Sequence, residues 1–107
     1  MQLDQGVLRL VTDHPLDLSA ASPTSASVGI ASAQILAVNL NRKGLSLINS
    51  SGENTISFGL GVPAVLYKGI TLFPNGVWEM DDLTFSTGAI NAIASAAASN
   101  LSIQEFS

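Results

Sequence analysis

The chain has 107 residues, enough for one domain with a real core but near the low end of the usual range. Apolar residues make up 47%, which excludes wholesale disorder, while charged residues are only 11%, against roughly 25% in an average globular chain. The formal net charge is −4 with four scattered cations, Arg9, Arg42, Lys43 and Lys68, so clustered binding of a nucleic-acid backbone is not expected.

Ala, Ser, Thr, Gly and Asn take the place of charged residues, so much of the surface must be neutral. Such surface is common where subunits pack, because burying it leaves few unpaired charges, and an assembled protein is therefore expected. No cysteine is present, which excludes a disulfide framework and a Cys-ligated metal site. The longest apolar stretches are interrupted well before the roughly 20 residues that a helical membrane span needs, and no membrane partner is expected. The first residues, Met-Gln-Leu-Asp-Gln, carry neither a basic region nor an apolar core, so no secretion signal is expected.

In chain order, residues 6–12 alternate apolar and polar imperfectly and predict a short strand or an extended arm. Asp13, His14 and Pro15 follow, and residues 17–27 are rich in Ser, Ala, Thr and Pro without periodicity, the composition of a linker. The expected organisation is thus an N-terminal arm over 1–27 and a compact domain over 28–107. The first firm strand is 34–39, with Ile35, Ala37 and Asn39 on one face and Leu36, Val38 and Leu40 on the other. Asn41-Arg42-Lys43-Gly44 predicts a turn, since Asn and Gly tolerate positive φ and two cations are easily solvated there. Leu45, Leu47 and Asn49 then alternate with Ser46, Ile48 and Ser50. A second turn over 49–54 and a return strand over 55–60 predict a hairpin across 45–60. Ile56, Phe58 and Leu60 share a face at period two, so that face belongs to the core.

Gly61-Val62-Pro63 breaks the ladder because Pro63 has no amide to donate. A short strand over 65–67 is expected, then another containing Ile70, Leu72 and Phe73. Pro74-Asn75-Gly76 ends it in a turn where Asn75 or Gly76 takes positive φ. Residues 77–81 set Val77, Glu79 and Asp81 opposite Trp78 and Met80, with partners expected from 89–97 and 101–106, joined at Ser99-Asn100. The Ala-rich stretch 89–98 has helical propensity. Strand is the better assignment, because Ile90, Ala92, Ala94 and Ala96 against Asn91, Ile93 and Ser95 fit a half-buried ribbon. The fold class is all-β: a single antiparallel β-sandwich with an extended N-terminal arm, jelly-roll and immunoglobulin-like orders sharing the same local signals.

Few residues invite chemistry. His14, the sole histidine, lies in linker, and a catalytic histidine needs a rigid scaffold and an oriented partner. Glu79, Asp81 and Asp82 are the densest acidic group, with Glu79 and Asp81 roughly 7 Å apart along one strand face. A calcium ion needs six or more oxygens from a shaped loop, and no such pattern is visible, so solvated edge charge explains the group better. Trp78 and Tyr67 would make a sugar platform if exposed together; core or subunit interface is the expected place for them. No glycine-rich phosphate loop or glycosidase-type carboxylate pair occurs. The chain is expected to be no enzyme and to need no metal or cofactor.

Four segments carry a resemblance. They are Asn39-Leu40-Asn41-Arg42-Lys43-Gly44-Leu45-Ser46-Leu47-Ile48-Asn49, Asn54-Thr55-Ile56-Ser57-Phe58-Gly59, Gly69-Ile70-Thr71-Leu72-Phe73-Pro74-Asn75-Gly76-Val77-Trp78-Glu79 and Gly88-Ala89-Ile90-Asn91-Ala92-Ile93. Together they cover about two thirds of the chain, over 35–106, and Arg42-Lys43 before an apolar-polar-apolar strand is their most specific part. The pattern resembles one that recurs in small virion proteins of tailed bacteriophages, of the head-fibre, capsid-decoration and minor structural kinds. Asn75 stands where that pattern often has glycine, and Asn91 where it has an aromatic, which thins the core or marks a surface contact.

The resemblance implies a structural part that decorates or cements the outer capsid surface, with the major capsid protein as partner. A homotrimer would match capsid threefold symmetry, and the location would be the virion after synthesis in the host cytoplasm. The alternative it leaves is a tail or fibre module that binds a host-surface glycan. Val7, Leu8, Leu10, Val11, Leu16 and Leu18 have no evident reason to be in a pure linker and are the candidate capsid or subunit contacts. A competing reading has residues 6–12 add an edge strand to their own sandwich.

Overall fold

The computed structural model describes residues 23–107, in which eight strands carry the regular structure. They are β1 (Thr24–Val28), β2 (Ala33–Leu36), β3 (Gly44–Asn49), β4 (Ile56–Leu60), β5 (Ile70–Leu72), β6 (Val77–Glu79), β7 (Ile90–Ala94) and β8 (Ser99–Phe106). Two antiparallel four-stranded sheets result, ordered β1-β8-β3-β6 and β2-β7-β4-β5. Successive strands β1/β2, β3/β4, β5/β6 and β7/β8 are each divided between the sheets, and β4–β5 is the one sequential hairpin pair. An immunoglobulin-like order would leave the first two strands side by side, so this is the jelly-roll order.

The core lies between the layers. Val28, Leu45, Leu47, Leu101 and Ile103 from the first sheet meet Ile56, Phe58, Leu72, Ile90, Ala92 and Ala94 from the second, with Trp78, Met80 and Leu60 packed on the cluster. Ile56 and Phe58 are buried as their period-two spacing implies, and Leu60 is half-buried at the strand end. Residues 90–94 form a strand because Ile90, Ala92 and Ala94 must all face that core, a requirement that outweighs the helical propensity of alanine.

Several expectations are corrected. The hairpin over 45–60 does not form: β3 pairs with β8 and β6, while β4 pairs with β7 and β5. Alternation tells which face of each strand is apolar but not whether two such strands lie edge to edge or face to face. The sandwich includes Thr24–Val28, which starts inside the stretch that composition assigns to the arm, since Thr24 to Val28 pair in unbroken register with Ile103 to Ser99. Ala26 and Val28 turn inward there and Ser25 and Ser27 outward, a pattern too weak in apolar contrast to stand out. β2 stops at Leu36, so 37–39 belong to a loop. Residues 65–67 are a turn with Tyr67 at φ 65, not a strand. The β7–β8 connection sits at 95–98, with Ala98 at φ 59, and Ser99 already belongs to β8. β6 pairs with β3 rather than with β7 or β8. Asn75 does take positive φ, at 67.

Asn49 ties the sheets at the β3–β4 crossover. Its side chain is fully buried and uses both donors and its acceptor oxygen. Nδ2 donates to the carbonyls of Asn54 (2.6 Å) and Leu72 (2.8 Å), and Oδ1 accepts from Ser51 N (3.0 Å) and Ser51 Oγ (2.7 Å). The bond to Leu72 reaches from β3 in one sheet to β5 in the other.

The outer faces of the two sheets differ. Residues 61–69 fold back over the second sheet as a flap. Asn91 Nδ2 donates to Val62 O (2.7 Å), Tyr67 N to Ser57 Oγ (2.9 Å) and Ala64 N to Ser32 Oγ (2.8 Å). Asn91 therefore neither thins the core nor stands free: it holds the flap down. Gly59 lies beneath, where a Cβ would collide with the Val62 carbonyl and come within 2.7 Å of the Pro63 oxygen. The first sheet's outer face carries a shallow, neutral depression of about 470 Å³ lined by Ser25, Ser46, Ile48, Ser102 and Gln104 among others.

Candidate interaction surface

One end of the sandwich gathers the β2–β3 loop, the β4–β5 flap, the β6–β7 loop and the end of β8. Arg42 organises it. A cation in an Asn-Arg-Lys-Gly turn is expected in solvent, yet Arg42 is only 2% exposed. Its Nε donates to Glu105 Oε2 at 2.7 Å, Nη1 to the carbonyls of Ser86 (3.0 Å) and Gly88 (2.9 Å), and Nη2 to that of Ala37 (3.0 Å). The flat guanidinium fork serves three directions at once, which an ammonium on a single stem does not do. The β2–β3 loop, the β6–β7 loop and β8 are thereby fastened to one group.

Further bonds close the same end. Asn39 N donates to Thr87 O (2.9 Å) and Lys43 N to Phe106 O (2.8 Å). Asn39 Nδ2 reaches Ser107 Oγ (3.1 Å). A buried ion pair costs desolvation that its own attraction need not recover. What this one supplies is a fixed position for two loops that carry little apolar packing of their own.

Those loops hold large apolar side chains out to solvent. Val38 is 59% exposed, Leu40 81%, Leu83 95% and Phe85 47%. Leu83 stands on a tight turn built by Asp81, whose Oδ1 accepts from Leu83 N (2.9 Å), Thr84 N (3.0 Å) and Thr84 Oγ1 (3.1 Å). The Thr84 hydroxyl first, then the Leu83 and Thr84 amides, hold the Asp81 carboxyl below its ordinary value by stabilising the charged form. Large exposed apolar side chains favour protein contact where they cluster into a patch.

The remaining candidates fall as follows. Val7, Leu8, Leu10, Val11, Leu16 and Leu18, with His14, lie outside the described residues. The Glu79, Asp81 and Asp82 carboxylates do not converge: Glu79 accepts a long bond from Ser46 Oγ (3.4 Å), and Asp81 is engaged in its own turn. Among the described residues no three His, Cys, Asp or Glu side chains are arranged to hold a metal ion. Trp78 packs against the core from β6, as expected, while Tyr67 is 62% exposed on the flap over the other sheet, so the two do not share a platform. Arg42 and Glu105 were not legible as a pair, being 63 residues apart.

No protein-family model, curated protein or solved structure matches the chain. The class is therefore defined by architecture, eight strands in jelly-roll order among the described residues, an arrangement that serves capsid, lectin and cupin proteins alike and does not by itself assign a function.

Proposed function

We propose that this protein is a structural virion component of a tailed phage, a decoration or cement subunit that binds the outer capsid surface through the Arg42-fastened end and stabilises the head. The motif resemblance names the class of part, and the single observation that supports docking is the display of Val38, Leu40, Leu83 and Phe85 on two loops locked to one buried guanidinium. Val7, Leu8, Leu10, Val11, Leu16 and Leu18 are further candidate contacts in this reading, and the capsid partner is the major capsid protein. A homotrimer would let three modest contacts act together on a threefold site.

The test is co-sedimentation of the purified protein with heads that lack it. Wild type is expected to pellet with heads and to raise their resistance to heat. Leu40→Asp/Leu83→Asp, at positions already in solvent, is expected to stay folded and lose binding. Deletion of residues 1–22 reports separately on the arm. Equal binding by the double variant overturns the docking surface. Normal heads combined with lost host adsorption in particles lacking the protein would place it instead on a fibre that binds a host glycan.

A further inference from the structure

The two lateral sides of the sandwich are unlike in charge. Among the described residues β1 and β2 are edge strands of opposite sheets, each paired on one side only, and they approach each other along one flank. β6 and β5 make the opposite flank in the same way. Natural edges are usually blunted with charge, because an open row of backbone N–H and C=O groups invites another strand. The β5/β6 flank follows this rule, with exposed Lys68, Glu79, Asp81 and Asp82 in or beside its strands.

The β1/β2 flank does not. Residues 23–41, which build both strands and their connections, contain no Asp, Glu, Lys or Arg. Ser25, Ser27, Ala33 and Gln34 are exposed along it, and Ile30 at the β1–β2 turn is 68% exposed. Small neutral side chains let another backbone approach closely, and the five-residue β1 presents no proline within its length.

We infer that the β1/β2 flank is a self-association surface whose occupant is a second copy of this chain. The charge distribution selects that partner. Two copies each carry a formal −4, and like charges set opposite each other across an interface are costly. The uncharged flank is where identical molecules meet without such a juxtaposition. A partner of opposite charge would gain nothing from a surface that offers it no charge to pair. The inference concerns the free protein and stands apart from the virion reading: subunit association is measured without heads.

Sedimentation velocity on the full chain across the micromolar range is the test. Wild type is expected to be oligomeric. Ser27→Lys/Gln34→Lys, which puts a cation on each exposed edge, is expected to weaken association by roughly a hundredfold with an unchanged circular dichroism melt. Val77→Lys on the opposite flank is expected to leave association unaltered. A monomeric wild type overturns the inference, and protection of the Thr24–Val28 amides from exchange in that monomer would assign the edge to the chain's own first 22 residues. Dissociation by Val77→Lys but not by the β1/β2 variant equally overturns it.

Discussion

Replacing Arg42 by methionine removes the fork while keeping much of the side-chain volume. Glu105 then loses its ion-pair partner, and the carbonyls of Ala37, Ser86 and Gly88 lose charged donors. Breaking a fully buried pair by deleting one member costs about 3–5 kcal/mol. The Glu105 side chain is 20% exposed and regains some hydration, which places the expected loss at the lower bound, about 3 kcal/mol. For a domain of this size each kcal/mol moves the melting temperature by about 4–8 °C, so a fall of roughly 12–24 °C is expected. Urea unfolding followed by circular dichroism should show a lower midpoint at unchanged slope, which separates lost stability from a changed unfolded state. Arg42→Lys keeps the charge but not the three-way fork and should recover less than half of the loss. Arg42→Met/Glu105→Leu removes both charges and should be more stable than Arg42→Met alone, because no carboxylate is left stranded. A single variant within about 0.5 kcal/mol of wild type would mean the clamp carries no structural weight, and the account of the loop end would fail.

Asn49→Ala leaves the Asn54 and Leu72 carbonyls without their side-chain donor and is expected to cost about 2–4 kcal/mol, read as a shifted urea midpoint. Gly59→Ala drives a Cβ into the flap, so faster amide exchange at Tyr67 and easier proteolytic cutting within residues 61–69 should appear before global unfolding. The Asp81 turn should depend on pH. Its folded carboxyl titrates below the ordinary value of 3.8, so its contribution is complete above that value and is lost as pH falls through the lower, folded one. Exchange at the Leu83 and Thr84 amides should therefore exceed the intrinsic pH trend toward pH 2, and Asp81→Asn should abolish that excess; an identical profile in the variant would refute the assignment.

Where apolar alternation is strong, strand existence and inward faces were legible because both depend on neighbours in sequence, whereas β1 was too weak in contrast and 65–67 turned out to be no strand. Ile56 and Phe58, or Ile90, Ala92 and Ala94, are set two apart, and a period of two with apolar side chains admits little besides a ribbon with one buried face. The turn at Asn75 was legible for the same reason, since Asn accepts positive φ from its own side-chain size, whereas those at Tyr67 and Ala98 were not. Sheet membership was not. Leu45–Asn49 and Ile56–Leu60 look like the halves of a hairpin, and only the whole set of eight strands determines that they lie in different layers, joined by Asn49. The interaction end was hidden more deeply. Whether Arg42 is solvated or buried depends on Glu105 and on three carbonyls from two loops, which tertiary folding alone brings within 3.0 Å. A charge is buried or exposed according to the partners that surround it, and of these only Ala37 is near in sequence, while Ser86, Gly88 and Glu105 lie 44, 46 and 63 residues away.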